Sequence, residues 1–421
     1  MSNEQGQINR PRRLLLGLDG VPHELIHAAQ NRGLFDFFNE PTRLLSPFPT
    51  MTNVALSAML SATPPAGYES LYFDRETRQL QGGIRKYVGW RTPDKIPSSY
   101  MRELDYQEPL AFEFLIYVAA DTVWRSDMQR FREGFLAAPQ NRDYFAFLKA
   151  TDGLLHSQGP ERLSVALQSL DKILKEIRQV CGVETEIVLF SDHGMNLQEN
   201  QRANLATNLQ RHGFDVRSNL SNQRKSAVCI PAFGLCSYAA AYCASQDLIP
   251  EVATALIDEP GVDFVVHREG AEVVVSSERG LARIEQRGRN GDEAYRYTAT
   301  SGDPLNLNSI VARLKENGEI GSDGFASDSA WFLGTASHEY PDALRNIFSS
   351  IHSTRVKHTA DILISLSDGY YYGWSPFGRF VRLAATHGNA LKSSSNAFLM
   401  STHRQLPPFV RADDARTLLR D

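Results

Sequence analysis

Four short apolar runs in this chain each close on an aspartate or soon reach one. RLLLGL (13–18) runs into Asp19-Gly20, FEFLIYVA (112–119) reaches Asp121, FAFLKA (145–150) reaches Asp152, and EIVLF (186–190) is followed by Ser191-Asp192-His193-Gly194. Such runs, bounded by polar and glycine residues, read as strands buried on both faces. Strands of that kind belong to parallel sheets covered by helices. After the third run, GPERLSVALQSLDKILKEIRQV places Leu163, Leu167, Leu170, Leu174 and Ile177 on one helical face, with Gly-Pro at its start. That spacing predicts an amphipathic helix. The expected fold class is α/β, a doubly wound, mostly parallel sheet with helices on both faces.

From about residue 197 the texture changes. VDFVVHR, AEVVVSS, ARIEQR and YRYTAT are short alternating segments joined by glycine, asparagine and charged residues, the pattern of antiparallel hairpins in an α+β insertion. ADILISLSD (360–368) again reads as a buried strand, and RFVRLAATHGNA (379–390) carries His387-Gly388 near its end. The expected organisation is a core over 1–196, an inserted cap over 197–355 that covers the site and selects the substrate, and a core return segment over 356–421.

Composition narrows the functional classes. With 421 residues, 42% hydrophobic and 22% charged, the chain is of ordinary globular type and long enough for a sizeable core. A net charge of −5 and the lack of a long basic patch argue against a nucleic-acid partner. No run approaches the ~18 apolar residues of a membrane span, and the short LLLGL run lacks the form of a signal peptide, so a cytoplasmic location is expected. The four cysteines show no zinc-knuckle spacing and are read as reduced structural thiols.

In doubly wound sheets, ligands gather outside the carboxyl ends of the strands. The polar residues expected there are Asp19, Asp152, Asp192 and His193, joined by His387 from the late segment. His156 lies four residues after Asp152, so one helical turn or a tight loop would aim both side chains at one point. Asp121 also follows an apolar run, but it has no histidine four residues later and is read as structural. SPFPTMTNVALSAMLSATPP (46–65) contributes a short helix whose start carries Thr52, placed to aim its hydroxyl and the first-turn amides at an anion. Thr50 is the rival residue, and a helix cap is the plainer role. Among the other histidines, His23, His27 and His403 are read as packing or surface residues. The aromatic group Tyr370, Tyr371, Tyr372 and Trp374 is read first as packing and second as a pocket lining.

Taken in order, Asp19-Gly20, Pro49-Thr50-x-Thr52, Asp152-x-x-x-His156 with Gly159-Pro160, Ser191-Asp192-His193-Gly194-Met195 and Thr386-His387-Gly388 resemble the alkaline phosphatase superfamily. Within it the chain most resembles the type I phosphodiesterase/nucleotide pyrophosphatase group. The motifs extend from residue 19 to 388. The resemblance implies one metal site from Asp19, Thr52, Asp192 and His193, and a second from Asp152, His156 and His387. It implies two divalent ions, zinc first and manganese second, with Thr52 as nucleophile in a covalent phospho-threonine mechanism on a small, nucleotide-like phosphorylated substrate. Many of the nucleotide pyrophosphatases carry an asparagine three positions after the nucleophile. Here that position is Ala55, and Asn53 follows Thr52 directly, so Asn53 or the backbone amides are the expected holders of a phosphate oxygen. The remaining alternatives are a phosphomonoesterase or phosphonate hydrolase on the same residues, and a metal-binding regulatory protein without turnover.

Overall fold

The structure is a computed structural model that describes residues 12–83, 96–109, 112–220, 225–289, 291–352, 355–374 and 383–420. RLLLGL forms β1 (Arg13–Leu18), and Thr42–Leu45 forms β2. The FAFL run lies in β3 (Tyr144–Leu148) and EIVLF in β4 (Glu186–Ser191). With the later strands Asn396–Ser401 and Phe409–Arg411 these make a six-stranded sheet, in which β4, β1 and β3 are consecutive neighbours. β1 pairs parallel with both β3 and β4, and β2 pairs parallel with Phe409–Arg411. Asn396–Ser401 runs antiparallel between β2 and β4.

Helices α1 (His23–Asn31), α2 (Thr52–Met59), α3 (Phe112–Ala137) and α4 (Ala150–Cys181) cover this sheet. Alternation along β1 decides which helix each residue meets. Leu14, Leu16 and Leu18 pack with Phe131 of α3 and Leu167 of α4, whereas Leu15 packs with Leu56 and Met59 of α2 on the opposite face. The sheet is therefore covered on both sides, as the continuous apolar runs require. Leu163, Leu167, Leu170, Leu174 and Ile177 are all buried, so the helical spacing read from the sequence is realised. α4 is broken at Gly159, whose φ of 74° suits glycine, and Pro160 starts the second segment.

One expected strand is a helix. FEFLIYVA opens α3 and is helical up to a break at Ala119, beyond which Ala120, Val123, Trp124, Met128, Phe131 and Phe135 are buried at helical spacing. Taken alone, its aromatic and β-branched residues favour a strand, but the apolar period continuing past it is that of a helix. Asp121 is on this helix and pairs with Arg162, which agrees with its structural reading.

A second, nine-stranded sheet holds the hairpins expected after residue 197. Val262–Glu269, Glu272–Ser277, Gly280–Arg287 and Ala294–Gly302 form an antiparallel meander. Ile362–Leu366, expected on return to the core, instead pairs antiparallel with Val262–Glu269 on one side and Tyr238–Cys243 on the other. A strand buried on both faces carries no mark of which sheet it will enter. Of the RFVRLAATHGNA run, residues 379–382 lie outside the described residues, and 383–390 form the connection that carries His387. All four cysteines are free thiols.

Candidate metal centre

Asp19, Asp152 and Asp192-His193 follow the carboxyl ends of β1, β3 and β4, three adjacent parallel strands. The chain turns sharply after Asp19 because Gly20 has a φ of +70°; a Cβ there would approach the Met195 methyl at 3.0 Å and Asp152 Oδ1 at 3.1 Å. The Gly20 amide donates to Asp192 Oδ1 at 3.2 Å. Two hydroxyls beside the motif residues hold the turns: Thr151 Oγ1 donates to the Asp19 carbonyl at 2.7 Å, and Ser191 Oγ donates to the His193 carbonyl at 2.8 Å. The sequence reading gave neither residue a role. Their signal was position, a small hydroxyl directly before each aspartate.

Thr52 is the first residue of α2, and its Oγ1 lies 3.3 Å from both Asp19 Oδ1 and His193 Nε2. Thr50 is fully buried and turned elsewhere: its hydroxyl donates to the Asn389 carbonyl and accepts from the Gly388 amide. Of the two threonines, Thr52 therefore meets the strand-end residues. Asn53 is half-buried beside it, and Tyr100 Oη donates to Asn53 Oδ1 at 2.8 Å. Tyr100 comes from a 3-10 turn that no motif marks.

The three imidazoles share one arrangement. His156 Nδ1 donates to the Ala385 carbonyl at 2.8 Å, His193 Nδ1 to the Gly194 carbonyl at 2.9 Å, and His387 Nδ1 to the Thr50 carbonyl at 2.7 Å. A carbonyl only accepts, so each Nδ1 carries the proton, and in the neutral ring Nε2 presents a lone pair. Those lone pairs face carboxylate oxygens. His156 Nε2 lies 3.2 Å and His387 Nε2 3.6 Å from Asp152 Oδ1, and His193 Nε2 lies 3.4 Å from both Asp19 Oδ1 and Asp192 Oδ2. His193 and His387 stack, with ring centroids 3.9 Å apart.

Without a cation, lone pairs set against carboxylates in a buried site repel. Asp152 Oδ1 and Asp192 Oδ2 are indeed buried with no hydrogen-bond partner. Burial holds two of the imidazoles neutral, with His193 pushed down to about 4 and His387, also beside His193, to about 3, whereas Asp152 raises His156 against its burial. Burial and the neighbouring Asp192 and Asp152 carboxylates push Asp19 far up, and burial also raises Asp192. Neutral imidazole nitrogens and carboxylate oxygens converging without counter-charge are the donor set of a divalent first-row ion. Two groups have ligand atoms all within 4.8 Å of one another: Asp152, His156 and His387, and Asp19, Asp152 and His193. Asp152 belongs to both, which places the two halves of the set side by side. The residues fit the group that the sequence implied. His23, by contrast, packs on His27 and bonds the Pro41 carbonyl, as its packing reading expected.

The chain matches the family model for type I phosphodiesterase / nucleotide pyrophosphatase over residues 74–259, a span that contains Asp152, His156, Asp192 and His193. Among solved structures, phosphonoacetate hydrolase from Sinorhizobium meliloti 1021, in complex with phosphonoformate, is similar at 14% identity and a TM-score of 0.52, covering 98% of this chain and 95% of that one. Murine ectonucleotide pyrophosphatase / phosphodiesterase 5 is similar at 12% identity and a TM-score of 0.48, covering 97% and 94%. No curated protein matches the sequence. The family match and the shared fold bear out the resemblance to the alkaline phosphatase superfamily. Over residues 74–259 the match bears out the resemblance to the type I phosphodiesterase/nucleotide pyrophosphatase group, and it supports a phosphoryl hydrolase. Among the described residues no helix is long and apolar enough to cross a membrane.

Proposed function

We propose that the chain is a phosphodiesterase of the nucleotide pyrophosphatase type that uses two divalent cations and a covalent phospho-threonine at Thr52. The observation that carries this reading is the set of three imidazoles whose Nδ1 atoms are tied to carbonyls and whose Nε2 lone pairs face buried carboxylates around the Thr52 hydroxyl. Asp19, Thr52, Asp192 and His193 would hold one ion, and Asp152, His156 and His387 the other, with zinc the better fit to mixed imidazole and carboxylate ligands and manganese the second. Bound there, divalent ions supply Lewis-acid polarisation and neutralise developing charge on phosphoryl oxygens.

The chain's own residues do the remainder. The Thr52 hydroxyl proton has Asp19 Oδ1 as its acceptor at 3.3 Å. Thr52 Oγ1 attacks phosphorus, forming the Oγ–P bond as the bond to the leaving oxygen breaks, and water then cleaves the Oγ–P bond and restores the hydroxyl. Tyr100 occupies the carbonyl end of the Asn53 amide, leaving the Nδ2 end to donate to a phosphoryl oxygen. Ala55 is fully buried and has no donor for this purpose, which supports Asn53 in the role. The substrate is a small phosphorylated molecule admitted past the second sheet.

The test is hydrolysis of bis-p-nitrophenyl phosphate by the zinc- or manganese-loaded protein beside Thr52→Ala, with metal content measured on both. The variant should retain its metals and lose turnover by on the order of 10³-fold or more. Full turnover in a metal-replete Thr52→Ala protein would refute the mechanism.

A further inference from the structure

The connection 383–390 carries His387 and also orients His156. His156 Nδ1 donates to the Ala385 carbonyl at 2.8 Å, and the Ala384 amide donates back to the His156 carbonyl at 2.9 Å. Both imidazoles of the group Asp152, His156 and His387 therefore depend on where this stretch of backbone lies. Apart from the single bridge between Thr386 and Asn196 it belongs to no strand or helix, so no hydrogen-bond ladder fixes it. Gly388, directly after the ligand, has a φ of +127°, and glycine moves between backbone conformations more freely than any other residue. A ligand beside such a residue needs a restraint from elsewhere in the chain.

Thr50 supplies it. This residue is fully buried and stands two positions before Thr52. Its amide donates to the Gly388 carbonyl at 3.2 Å, and its carbonyl accepts from His387 Nδ1 at 2.7 Å. Its hydroxyl adds what the backbone cannot: Oγ1 accepts from the Gly388 amide at 2.8 Å and donates to the Asn389 carbonyl at 3.2 Å. One side chain thus satisfies a buried donor and a buried acceptor on the two residues after His387, and either group left without a partner would be costly. The second sheet holds the opposite side. The Ser237 amide donates to the His387 carbonyl at 2.7 Å, and a Cβ on Gly388 would come within 2.9 Å of the Tyr238 ring.

Resting on the two-ion assignment above, we propose that Thr50 is a positioning residue for His387. Its hydroxyl sets the affinity of the ion held by Asp152, His156 and His387 and leaves the ion held by Asp19, Thr52, Asp192 and His193 as it is. The selectivity follows from how the two ligand groups are carried. Asp19, Asp192 and His193 follow β1 and β4, which are locked to each other by a parallel ladder, and Thr52 is fixed by α2. His387 has no such element under it. The amide and carbonyl of Thr50 keep their contacts when its side chain changes, so the entry into α2 is preserved.

The experiment titrates zinc against a competing chelator on the wild type, Thr50→Val, Thr50→Ser and His387→Ala. Thr50→Val keeps the shape and loses the hydroxyl, and it should weaken one of two zinc ions by about tenfold while the other binds as in the wild type. Thr50→Ser restores the hydroxyl and should bind both ions as the wild type does. The ion affected should be the one lost in His387→Ala, so adding Thr50→Val to that variant should leave its remaining ion unchanged. If Thr50→Val does not fold, Thr50→Ala removes the same hydroxyl without setting a methyl against the Gly388 amide and carries the same expectation. Equal weakening of both ions, unchanged binding of both, or a loss that Thr50→Ser fails to restore would overturn the proposal. Ester turnover has no part in this readout. A protein that binds both ions with the expected selectivity and hydrolyses no ester would sink the phosphodiesterase and keep Thr50 in its role. An active diesterase whose ions bind alike in wild type and Thr50→Val would do the reverse, and a wild type that holds fewer than two ions would defeat both.

Discussion

The two sheets of this molecule treat their polar groups in opposite ways. In the six-stranded sheet, β4, β1 and β3 are parallel neighbours, so their carboxyl ends lie along one edge and deliver Asp192-His193, Asp19 and Asp152 together. The nine-stranded sheet is largely a meander, and hairpins send successive strand ends to opposite edges. Its charged residues neutralise one another across the strands: Arg283 with Glu269 and Glu272, Arg296 with Glu285, and Arg287 with Asp323. Buried oxygens without partners mark the first sheet's edge, whereas closed ion pairs mark the second's outer strands. Parallel order concentrates chemistry, and antiparallel order disperses it.

The sharpest way to break this contrast is Asp152→Asn. Asp152 Oδ1 faces the Nε2 atoms of His156 and His387, and His156 above all holds its carboxyl below the ordinary range despite burial. Losing that charge should remove at least one bound ion and cost several kcal/mol of transition-state stabilisation, on the order of 10³-fold in kcat/KM. Metal analysis and diester turnover check it. A variant with full metal content and full activity would show that the converging oxygens are structural.

The second test asks whether a partnerless carboxylate always means a metal. Asp127 on α3 is fully buried, receives Tyr106 Oη at 2.5 Å on one oxygen and leaves the other without a partner, yet no imidazole lone pair faces it. Burial, assisted by Glu108, pushes its carboxyl up to about 7. A raised carboxyl is protonated in the folded state, so its contribution to stability is present below about pH 4 and is lost as pH rises through about 7. Asp127→Asn removes that loss. Relative to wild type the variant should gain roughly 2 to 4 kcal/mol between pH 4 and pH 8, read by chemical denaturation at both values. Metal content should not change.

How much of this was legible follows from the same contrast. The strands β1, β3 and β4 and the residues that follow them, Asp19, Asp152, Asp192 and His193, were readable because a buried parallel strand is an unbroken apolar run and polar residues gather at its end. Two elements misled the reading. FEFLIYVA is too short for its composition to separate strand from helix, and the deciding period lay beyond it in Val123, Trp124 and Met128. Ile362–Leu366 is buried on both faces, so nothing local tells which sheet accepts it. Tyr100 was out of reach for a different reason: it meets a residue distant in the chain, Asn53, with no motif of its own. Thr52 was readable as a helix start, but only the fold separates it from Thr50.

Tyr100 allows a smaller test at the site's edge. Tyr100→Phe removes the hydroxyl that holds Asn53 Oδ1 and keeps the ring in its apolar surround of Leu56 and Phe145. If Tyr100 is a positioning residue for Asn53, kcat/KM should fall about tenfold, and Asn53→Ala and the double variant should fall together without additivity. Additive losses would mean that Tyr100 acts on its own.

The smallest effect belongs to the second sheet. Arg296 grips Glu285 through two hydrogen bonds of 2.8 and 2.6 Å and lies over the Phe325 ring, with its side chain 36% exposed. Solvent at that exposure screens the pair, and the side chains lose rotamer freedom to make it, so Arg296→Ala should cost less than about 1 kcal/mol and leave diester turnover and metal content unchanged. The residual loss should shrink further in high salt, because screening weakens what the bidentate geometry supplies. A salt-independent loss of several kcal/mol would place the stability of this sheet in the Arg296–Phe325 packing and not in charge. The second sheet would then depend on its exposed cations as the first does on its buried anions, and the contrast between paired and unpaired polar groups would no longer separate the two.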